Sequence, residues 1–283
     1  MPASPSPSAQ AAREAVAHRL RDMRRTTGLT IAGLAAQCGW HHAKTSRIEN
    51  ARTAPTATDI RKWCTACGYE DQAERLIAKS LHAEEMYREW REQTREGMRR
   101  LQESAVAFFR ETALFRVYSS TMVPGLLQTE GYAAALLSAI ADFREIEVND
   151  GPEAARARVE RSHIIHESGR RFVFLLEEGA LRYQLGETEA MAAQLGYLLA
   201  AGALPTVSMG IIPDGTRRRR MWPQETFHVY DDRLVSVELL SAEVTITQPS
   251  EVRLYLRAFE ELRSMAVYGQ DARALIVKAI DAL

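Results

Sequence analysis

The sequence has few cysteines, no long apolar run and almost no net charge, and each shortage excludes a class of protein. The three cysteines, Cys38, Cys64 and Cys67, are too few and too clustered for a disulfide framework, which favours a reducing compartment. No apolar run approaches the ~18 residues of a membrane span. Residues 1–8 lack the basic and apolar regions of a signal peptide. We therefore expect a cytoplasmic protein with no membrane segment.

Motifs for common catalytic chemistry are also missing. The chain contains no GxGxxG, P-loop, GxSxG or HExxH pattern, so the sequence organises neither a nucleotide site nor an activated serine nor a catalytic zinc. We predict that the protein is not an enzyme and uses no cofactor.

Charge is divided unevenly along the chain. The 283 residues include 36 Lys and Arg against 37 Asp and Glu, a formal net charge of −1. Residues 1–80 hold 12 basic and 7 acidic side chains, whereas the remaining residues hold 24 and 30. A basic N-terminal segment followed by an acidic remainder indicates two parts of the chain that have different partners.

Composition and periodicity divide the chain into four segments. Residues 1–10 form a Pro- and Ser-rich tail that we expect to be disordered, and residues 11–79 show short helical patterns separated by turn residues. Residues 80–112 are dense in charge with loosely spaced apolar positions, which predicts a long amphipathic connecting helix; a dimerisation helix is the alternative. Residues 113–283 mix strand and helix patterns.

Five helices are predicted in the first of the folded segments. They run, in chain order, from Ala11 to Gly28, from Thr30 to Gly39, from His41 to Asn50, from Thr56 to Gly68, and from Gln72 to Lys79.

The second and third of these helices meet the requirements of a helix-turn-helix. Ala35 is the small residue that lets the two helices approach, and Gly39 tolerates the positive φ of the turn. Thr45 and Ile48, three residues apart, fit the inner face of the second helix of the motif. The outer face is then left to His41, His42, Ala43, Lys44, Ser46 and Arg47.

The stretch Leu29 to Asn50 resembles the Cro/cI-type helix-turn-helix, also called the xenobiotic-response-element family of bacterial regulators. The Gly-Leu-Thr entry, the Leu-Ala pair, the turn glycine and the Ser-Arg-Ile-Glu-Asn stretch match, within about residues 13–69. Ile31 departs from the family, which usually has a phosphate-bracing Gln there. The resemblance implies that residues 41–50 form a recognition helix in the major groove of double-stranded DNA.

The same resemblance implies roles for individual residues. Base contacts fall on His42, Ala43, Ser46 and Arg47. DNA-backbone contacts fall on Thr30, His41, Lys44, Asn50 and Arg52. Structural roles fall on Arg24, Ala35, Gly39, Ile48 and Glu49, with Arg24 and Glu49 forming a pair that fixes geometry.

A metal site is the alternative for the histidines and cysteines of this segment. Cys64 and Cys67 form a CxxC, and His41 and His42 are adjacent. A zinc knuckle usually places its CxxC on a turn, whereas this pair lies inside a predicted helix beside Trp63. We predict core packing and no metal.

Residues 113–283 predict an α+β domain. Strands are predicted at Arg171–Leu176, Thr206–Ile212, Thr226–Tyr230, Leu234–Leu240 and Glu243–Thr247. Helices are predicted at Pro124–Ile140, Glu153–Ser168, Thr188–Ala201 and Ser250–Val267. The turn at residues 231–233 predicts a hairpin, and the helix at 188–201 fits a βαβ crossover. The expected fold is an all-α helix-turn-helix domain of about five helices, a helical linker, and an α+β effector domain with a small mixed, largely antiparallel sheet.

The stretch Met122 to Ala133 has two interpretations. Its Pro-Gly turn and apolar positions predict a turn followed by a core helix. It also resembles the hallmark of an actinobacterial domain of unknown function found in WhiJ-like developmental regulators, a similarity that extends over about residues 104–270. On that resemblance the effector or partner surface lies at Pro124, Gly125, Leu126, Leu127, Gln128, Thr129 and Tyr132, with Glu177, Glu178 and Arg182 as further candidates.

Together the two resemblances imply a sequence-specific transcriptional regulator that binds DNA at the nucleoid as a homodimer. Its second domain is implied to sense a small acidic BldB-like partner protein or a small-molecule ligand. One alternative is an antitoxin-like module that a protein partner releases from DNA. The other is an enzyme that uses the acid and base side chains of His163, His166, Glu167, Glu177, Glu178 and His228. The run Arg217 to Arg220 is typical either of a solvated loop or of a segment that binds an acidic partner.

Overall fold

In the computed structural model, which describes residues 7–85, 87–217 and 221–283, the chain divides into two units near Arg88. The first unit takes in the described residues up to Arg88 together with Glu243–Ile246. The second unit takes in the described residues of Glu89–Ala242 and Thr247–Leu283. Within these ranges the structure has no helix of the length and apolar character needed to cross a bilayer.

Helices with locally encoded ends build the first unit. Thr30 and Thr56 begin two of them, because each side chain accepts a hydrogen bond from a backbone N–H of the first turn. Gly39 and Gly68 end the same two helices at φ 71° and 72°, in the left-handed region that favours glycine. The five predicted helices are confirmed as α1 Pro7–Thr26, α2 Ile31–Cys38, α3 His42–Glu49, α4 Ala57–Cys67 and α5 Ala73–Glu85.

The core of the first unit joins its helices through large apolar side chains. Leu20 of α1, Leu34 of α2, Ile48 of α3 and Trp63 of α4 are fully buried in one cluster. The Trp63 indole Nε1 also donates a hydrogen bond to the Leu20 carbonyl at 3.0 Å. Because α3 contributes to the same core as α1, α2 and α4, its orientation within the unit is fixed.

The start of α1 differs from the predicted disordered tail. Helix α1 begins at Pro7, so residues 7–10 are helical. Proline is tolerated at the first helical position because its missing N–H has no partner there anyway. The rest of the predicted tail, Met1 to Ser6, lies outside the described residues.

The predicted linker helix over residues 80–112 is wrong as a continuous helix. After α5 the segment contains β1 Tyr87–Glu89, α6 Trp90–Gln93, α7 Met98–Ser104 and α8 Val106–Glu111. Gly97, at φ 93°, breaks the helical path. The carboxylate of Asp150 then caps α7, accepting hydrogen bonds from the backbone N–H of Met98 at 2.8 Å and of Arg99 at 2.9 Å. The start of α7, and with it the structure of this segment, therefore depends on a residue that is distant in the sequence.

A mixed sheet forms the centre of the second unit. Its strands run in the order β6-β5-β2-β3-β4, with β2 parallel to β3, β3 parallel to β4, and β5 antiparallel to both β2 and β6. The α+β fold class with a mixed sheet is confirmed. The strand bounds are β2 Leu114–Ser119, β3 Arg171–Glu177, β4 Val207–Ile212, β5 Phe227–Tyr230 and β6 Leu234–Glu238. A further strand, β7 Ala242–Ile246, falls mostly in the first unit.

The connections of this sheet follow the sequence predictions in two places. Asp231 and Asp232 adopt φ 49° and 56° between β5 and β6, which is the backbone of a tight hairpin turn. Helix α11 links β3 to its parallel neighbour β4, as predicted for the βαβ crossover. The helices of the unit are α6, α7, α8, α9 Glu130–Phe143, α10 Gly151–Ser162, α11 Thr188–Ala201, α12 Pro249–Arg263 and α13 Gly269–Ile280.

The pairing register separates the side chains of the sheet onto two faces. Phe115 lies opposite Phe172 and Tyr230, so these three side chains share one face, where they join a core with α9, α11 and α13. Tyr118 lies opposite Phe227 on the other face. There Phe227 contacts the rings of α12, including Phe259 at a centroid distance of 6.3 Å.

Candidate nucleic-acid interface

The turn between α2 and α3 has the geometry that its residues predict. Ala35 is buried at the point where the two helices approach, and Gly39 at φ 71° turns the chain after Cys38. The backbone N–H of Trp40 then donates to the Ala35 carbonyl at 3.0 Å. These contacts set the angle between α2 and α3 through local backbone chemistry.

The inner face of α3 is buried as predicted. Thr45 and Ile48 are inaccessible to solvent. The Thr45 hydroxyl accepts a hydrogen bond from the indole Nε1 of Trp40 at 2.8 Å. The buried hydroxyl oxygen of Thr45 therefore has a hydrogen-bond partner. The opposite face is exposed at His42 and Arg47 and partly exposed at Ala43, Lys44 and Ser46.

A buried ion pair fixes the C-terminal end of α3 to α1. The Arg24 guanidinium donates from Nε and Nη2 to the two carboxylate oxygens of Glu49, the second at 3.1 Å. The side chains of Arg24 and Glu49 are 11% and 4% exposed. The hydrogen bond to Glu49 raises the pKa of Arg24 above its ordinary value. The pair expected between Arg24 and Glu49 is therefore present in the structure.

Arg47 projects from the outer face without an internal partner. In residues 7–85, 87–217 and 221–283 its guanidinium forms no hydrogen bond or ion pair. Arg52 is likewise exposed and its side chain has no partner within the same ranges. His41 caps α3 through its Nδ1, which accepts from the backbone N–H of Ala43 at 3.4 Å. In the neutral ring this bond leaves the proton on Nε2, as a donor toward solvent.

Two of the predicted DNA-backbone contacts are already engaged inside the protein. The Lys44 ammonium donates to Asp59 at 2.6 Å and lies 4.7 Å from the Trp40 ring centroid. Asn50 donates to the Ser46 carbonyl at 2.8 Å and accepts from Arg21 at 3.2 Å. Sequence reasoning missed these contacts, although the Thr-x-x-Asp capping box that orients Asp59 is visible in the sequence.

Asp59 links α4 to α3 through its hydrogen bond from Lys44, and its pKa is shifted. Burial alone would raise the pKa of Asp59, but hydrogen bonds from Lys44 and Thr56 lower it below its ordinary value. A carboxyl with a lowered folded-state pKa contributes stability above the unfolded pKa of about 3.9. That contribution disappears as the pH falls through the folded pKa.

We expect Asp59→Asn to lower the free energy of unfolding of the first unit by about 1–2 kcal/mol at pH 7, a range reduced for the partial exposure of Lys44. The difference from the wild type should shrink as the pH falls below about 4. Hydrogen exchange of α3 and α4 in the full chain measures it. Asp71→Asn, at an exposed position, is the control. A wild-type–variant difference that is constant with pH would contradict the assignment.

The three cysteines of the first unit are buried and form no disulfide. Burial raises the pKa of the Cys38 and Cys64 thiols to about 11, and it also raises the pKa of Cys67. Among the residues that the structure describes, no three His, Cys, Asp or Glu side chains are grouped as metal ligands.

The stretch predicted as an effector surface belongs instead to the core of the second unit. The amide of Gln128 donates to the Val123 carbonyl at 2.7 Å. Gln194 donates to the Leu127 carbonyl at 2.7 Å and accepts from the Thr129 N–H at 2.8 Å. These side-chain amides form hydrogen bonds with the backbone N–H and carbonyl groups of the turn. The backbone of the turn can therefore be buried. The correction applies to Pro124, Leu126, Leu127, Gln128 and Tyr132, which are buried, and to Gly125 and Thr129, which are half-buried.

The acid and base side chains proposed for an enzyme do not form one site. His228 lies opposite Val117 on the face of the sheet that carries Tyr230, whereas Glu177 accepts a hydrogen bond from Tyr118 on the other face. His228 and Glu177 therefore lie on opposite faces of the sheet and do not share a pocket.

The remaining charged candidates are either paired within the protein or exposed to solvent. Glu178 accepts from Arg182 and, at 3.0 Å, from the backbone N–H of Asp214. His163 and His166 are exposed on one turn of 3-10 helix, beside Glu167, which pairs with Arg170. Arg217 is exposed, and the other arginines of its run, 218–220, lie outside the described residues.

Helix α3 has a packed inner face and an open outer face, and a glycine turn joins it to α2. This arrangement defines a helix-turn-helix protein. Residues 15–76 match the family described as Helix-turn-helix domain, which implies DNA binding. Residues 102–278, more than half of the chain, match the family described as Domain of unknown function (DUF5753). The chain belongs to this family. The expected combination of a helix-turn-helix with a C-terminal domain of unknown function is confirmed.

Other comparisons give distant similarity only. No curated protein matches the chain significantly. Among solved structures, the chain is similar to TrmBL2, described as an archaeal chromatin protein with a novel mode of DNA binding. The identity is 13% and the TM-score 0.30, and the match covers 85% of this chain and 88% of that one.

Proposed function

We propose that the protein is a sequence-specific DNA-binding transcriptional regulator whose helix α3 enters the major groove. The observation that carries the proposal is the contrast between the two sides of α3. The inner side is locked by Thr45, Ile48 and the Arg24–Glu49 pair, whereas Arg47 extends outward with no partner in the described part of the chain. A fixed helix with a free guanidinium is suited to reading a guanine edge.

The proposed contacts divide by chemistry. Bases are read by His42, Ala43, Ser46 and Arg47, because these residues form the accessible side of α3. Phosphates are held by Thr30, His41 and Arg52, which are exposed around the ends of α2 and α3. Lys44 and Asn50 serve mainly to hold α3, since both already have internal partners.

The regulator is proposed to bind as a homodimer. One helix-turn-helix buries little DNA surface, and dimers of this class bind half-sites about one helical turn apart or multiples of it. The second unit is proposed to sense a small acidic partner protein or a ligand. The acidic balance of residues 81–283 favours a role away from DNA for this unit.

Selection of binding sites from a random duplex library with the full chain tests the proposal. We expect enrichment of an inverted repeat whose half-site centres lie about 10 base pairs, or a multiple, apart. The double variant His42→Ala/Arg47→Ala is the matched control and should enrich no repeat. Absence of any enriched sequence with the wild type would contradict sequence-specific binding. An enriched single half-site would contradict the dimer alone.

A further inference from the structure

Helix α10 in the second unit carries two arginines that have no acidic partner. Arg158 and Arg161 are three residues apart, so they lie on the same side of the helix. Arg158 donates from Nε to the side-chain oxygen of Gln102 at 3.0 Å and from Nη1 to that of Gln128 at 2.7 Å. Arg161 donates from Nη1 to the Gln102 carbonyl at 3.3 Å. Throughout the described ranges neither guanidinium forms an ion pair.

The surroundings of Arg161 hold its guanidinium without neutralising it. Its Cζ lies 4.8 Å from the centroid of the Phe109 ring, a cation–π contact. Its Nε is buried and has no hydrogen-bond partner in the described structure. The Phe109 ring in turn packs against Tyr230, with centroids 6.1 Å apart, and the Tyr230 hydroxyl lies 3.1 Å from His228 Nδ1.

The two arginines are costly to bury in this arrangement. Burial lowers the pKa of both, and for Arg161, where the charge of Arg158 adds repulsion, the pKa falls to about 10. Glu238 attracts both guanidiniums through space, but in the described structure it forms no ion pair with either. Neutral amide oxygens compensate a charge less than a carboxylate does. Each arginine residue as a whole is half-buried, and the Arg161 Nε is inaccessible to solvent.

We propose that Arg158 and Arg161 form a binding site for a small anion with a carboxylate or phosphate group. Such a group supplies the missing negative charge and accepts charge-assisted hydrogen bonds from guanidinium N–H groups. Gln102 and Gln128 hold Arg158 in place, and Phe109 holds Arg161, so the site is organised before the anion arrives. The site goes beyond DNA binding, because it lies wholly within the second unit.

Calorimetry on the full chain without DNA tests this site, with inorganic phosphate and succinate as probes at constant ionic strength in chloride. We expect saturable binding of one anion per chain for at least one probe, and the preferred probe identifies the recognised group. Arg161→Met, which keeps an unbranched side chain against Phe109, should weaken binding at least tenfold. The matched control is Arg156→Gln, since Arg156 is exposed on the same helix and paired with Glu153.

Two results would overturn the proposal. One is no saturable binding of either probe by the wild type. The other is binding that Arg161→Met leaves unchanged, which would place the anion elsewhere, for example at the arginines of residues 217–220. If Arg161→Met fails to fold, Arg161→Lys keeps the charge but lacks the forked donors, and it should also bind at least tenfold more weakly. Failure of either kind leaves the DNA-binding proposal untouched, because no DNA is present in the assay.

Discussion

Glu49→Ala is expected to lower the free energy of unfolding of the first unit by about 3–5 kcal/mol. The substitution leaves the Arg24 guanidinium buried without its carboxylate, and one backbone acceptor, the Leu29 carbonyl at 2.6 Å, is too little to replace it. Arg21, whose guanidinium also reaches the C-terminal end of α3, loses a nearby negative charge as well. The predicted loss of stability is therefore located at the contact between α1 and α3.

Hydrogen exchange of the α1 and α3 amides in the full chain measures this loss within the first unit. The double variant Arg24→Met/Glu49→Leu should recover most of it, since two apolar side chains need no compensation. Arg61→Gln is the control, because its pair with Glu74 is exposed and its removal should change the exchange little. If Glu49→Ala changes exchange no more than Arg61→Gln does, the pair does not stabilise the contact between α1 and α3.

Arg47→Ala is expected to weaken binding to the selected DNA site by about fivefold to 150-fold, which corresponds to ~1–3 kcal/mol for a forked contact to guanine. Binding to unrelated DNA should change by only a few-fold. The reason is that Arg47 is fixed by α3 and has no internal partner in the described structure, so its loss removes a base contact without disturbing the fold. Fluorescence anisotropy with both DNAs at several salt concentrations measures the two effects.

Arg52→Ala is the comparison for Arg47→Ala, because Arg52 is also exposed but lies beyond the end of α3. It should weaken binding to both DNAs alike and reduce the dependence of log affinity on log salt by about one unit. An equal loss on both DNAs for Arg47→Ala would make Arg47 a phosphate contact and leave the reading of bases to the rest of α3.

The first unit could be predicted from the sequence because its signals are local. Thr30, Gly39, Thr56 and Gly68 each set a helix end through contacts with residues a few positions away. The outer face of α3 followed from helical spacing alone. The hydrogen bond between Lys44 and Asp59 could not be predicted from spacing, because it depends on how α4 packs against α3.

The second unit could be predicted only where its strands are strongly apolar. β3, β4 and the β5–β6 hairpin were found, but β2 was missed because Arg116 interrupts its short apolar pattern. The stretch from Pro124 to Tyr132 could not be assigned to core or surface, since its burial depends on Gln194, a distant residue. Arg158 and Arg161 were missed as a pair because arginines on a charged helix normally face water.

During synthesis the ribosome releases the central strand of the sheet before any strand that pairs with it. β2 ends at Ser119, its parallel partner β3 begins at Arg171, and its antiparallel partner β5 begins only at Phe227. At about 5–20 residues per second, β2 waits roughly 3–10 s for β3 and longer for β5. Both edges of β2 stay unpaired for that time, and an unpaired apolar strand edge is open to pairing with other chains.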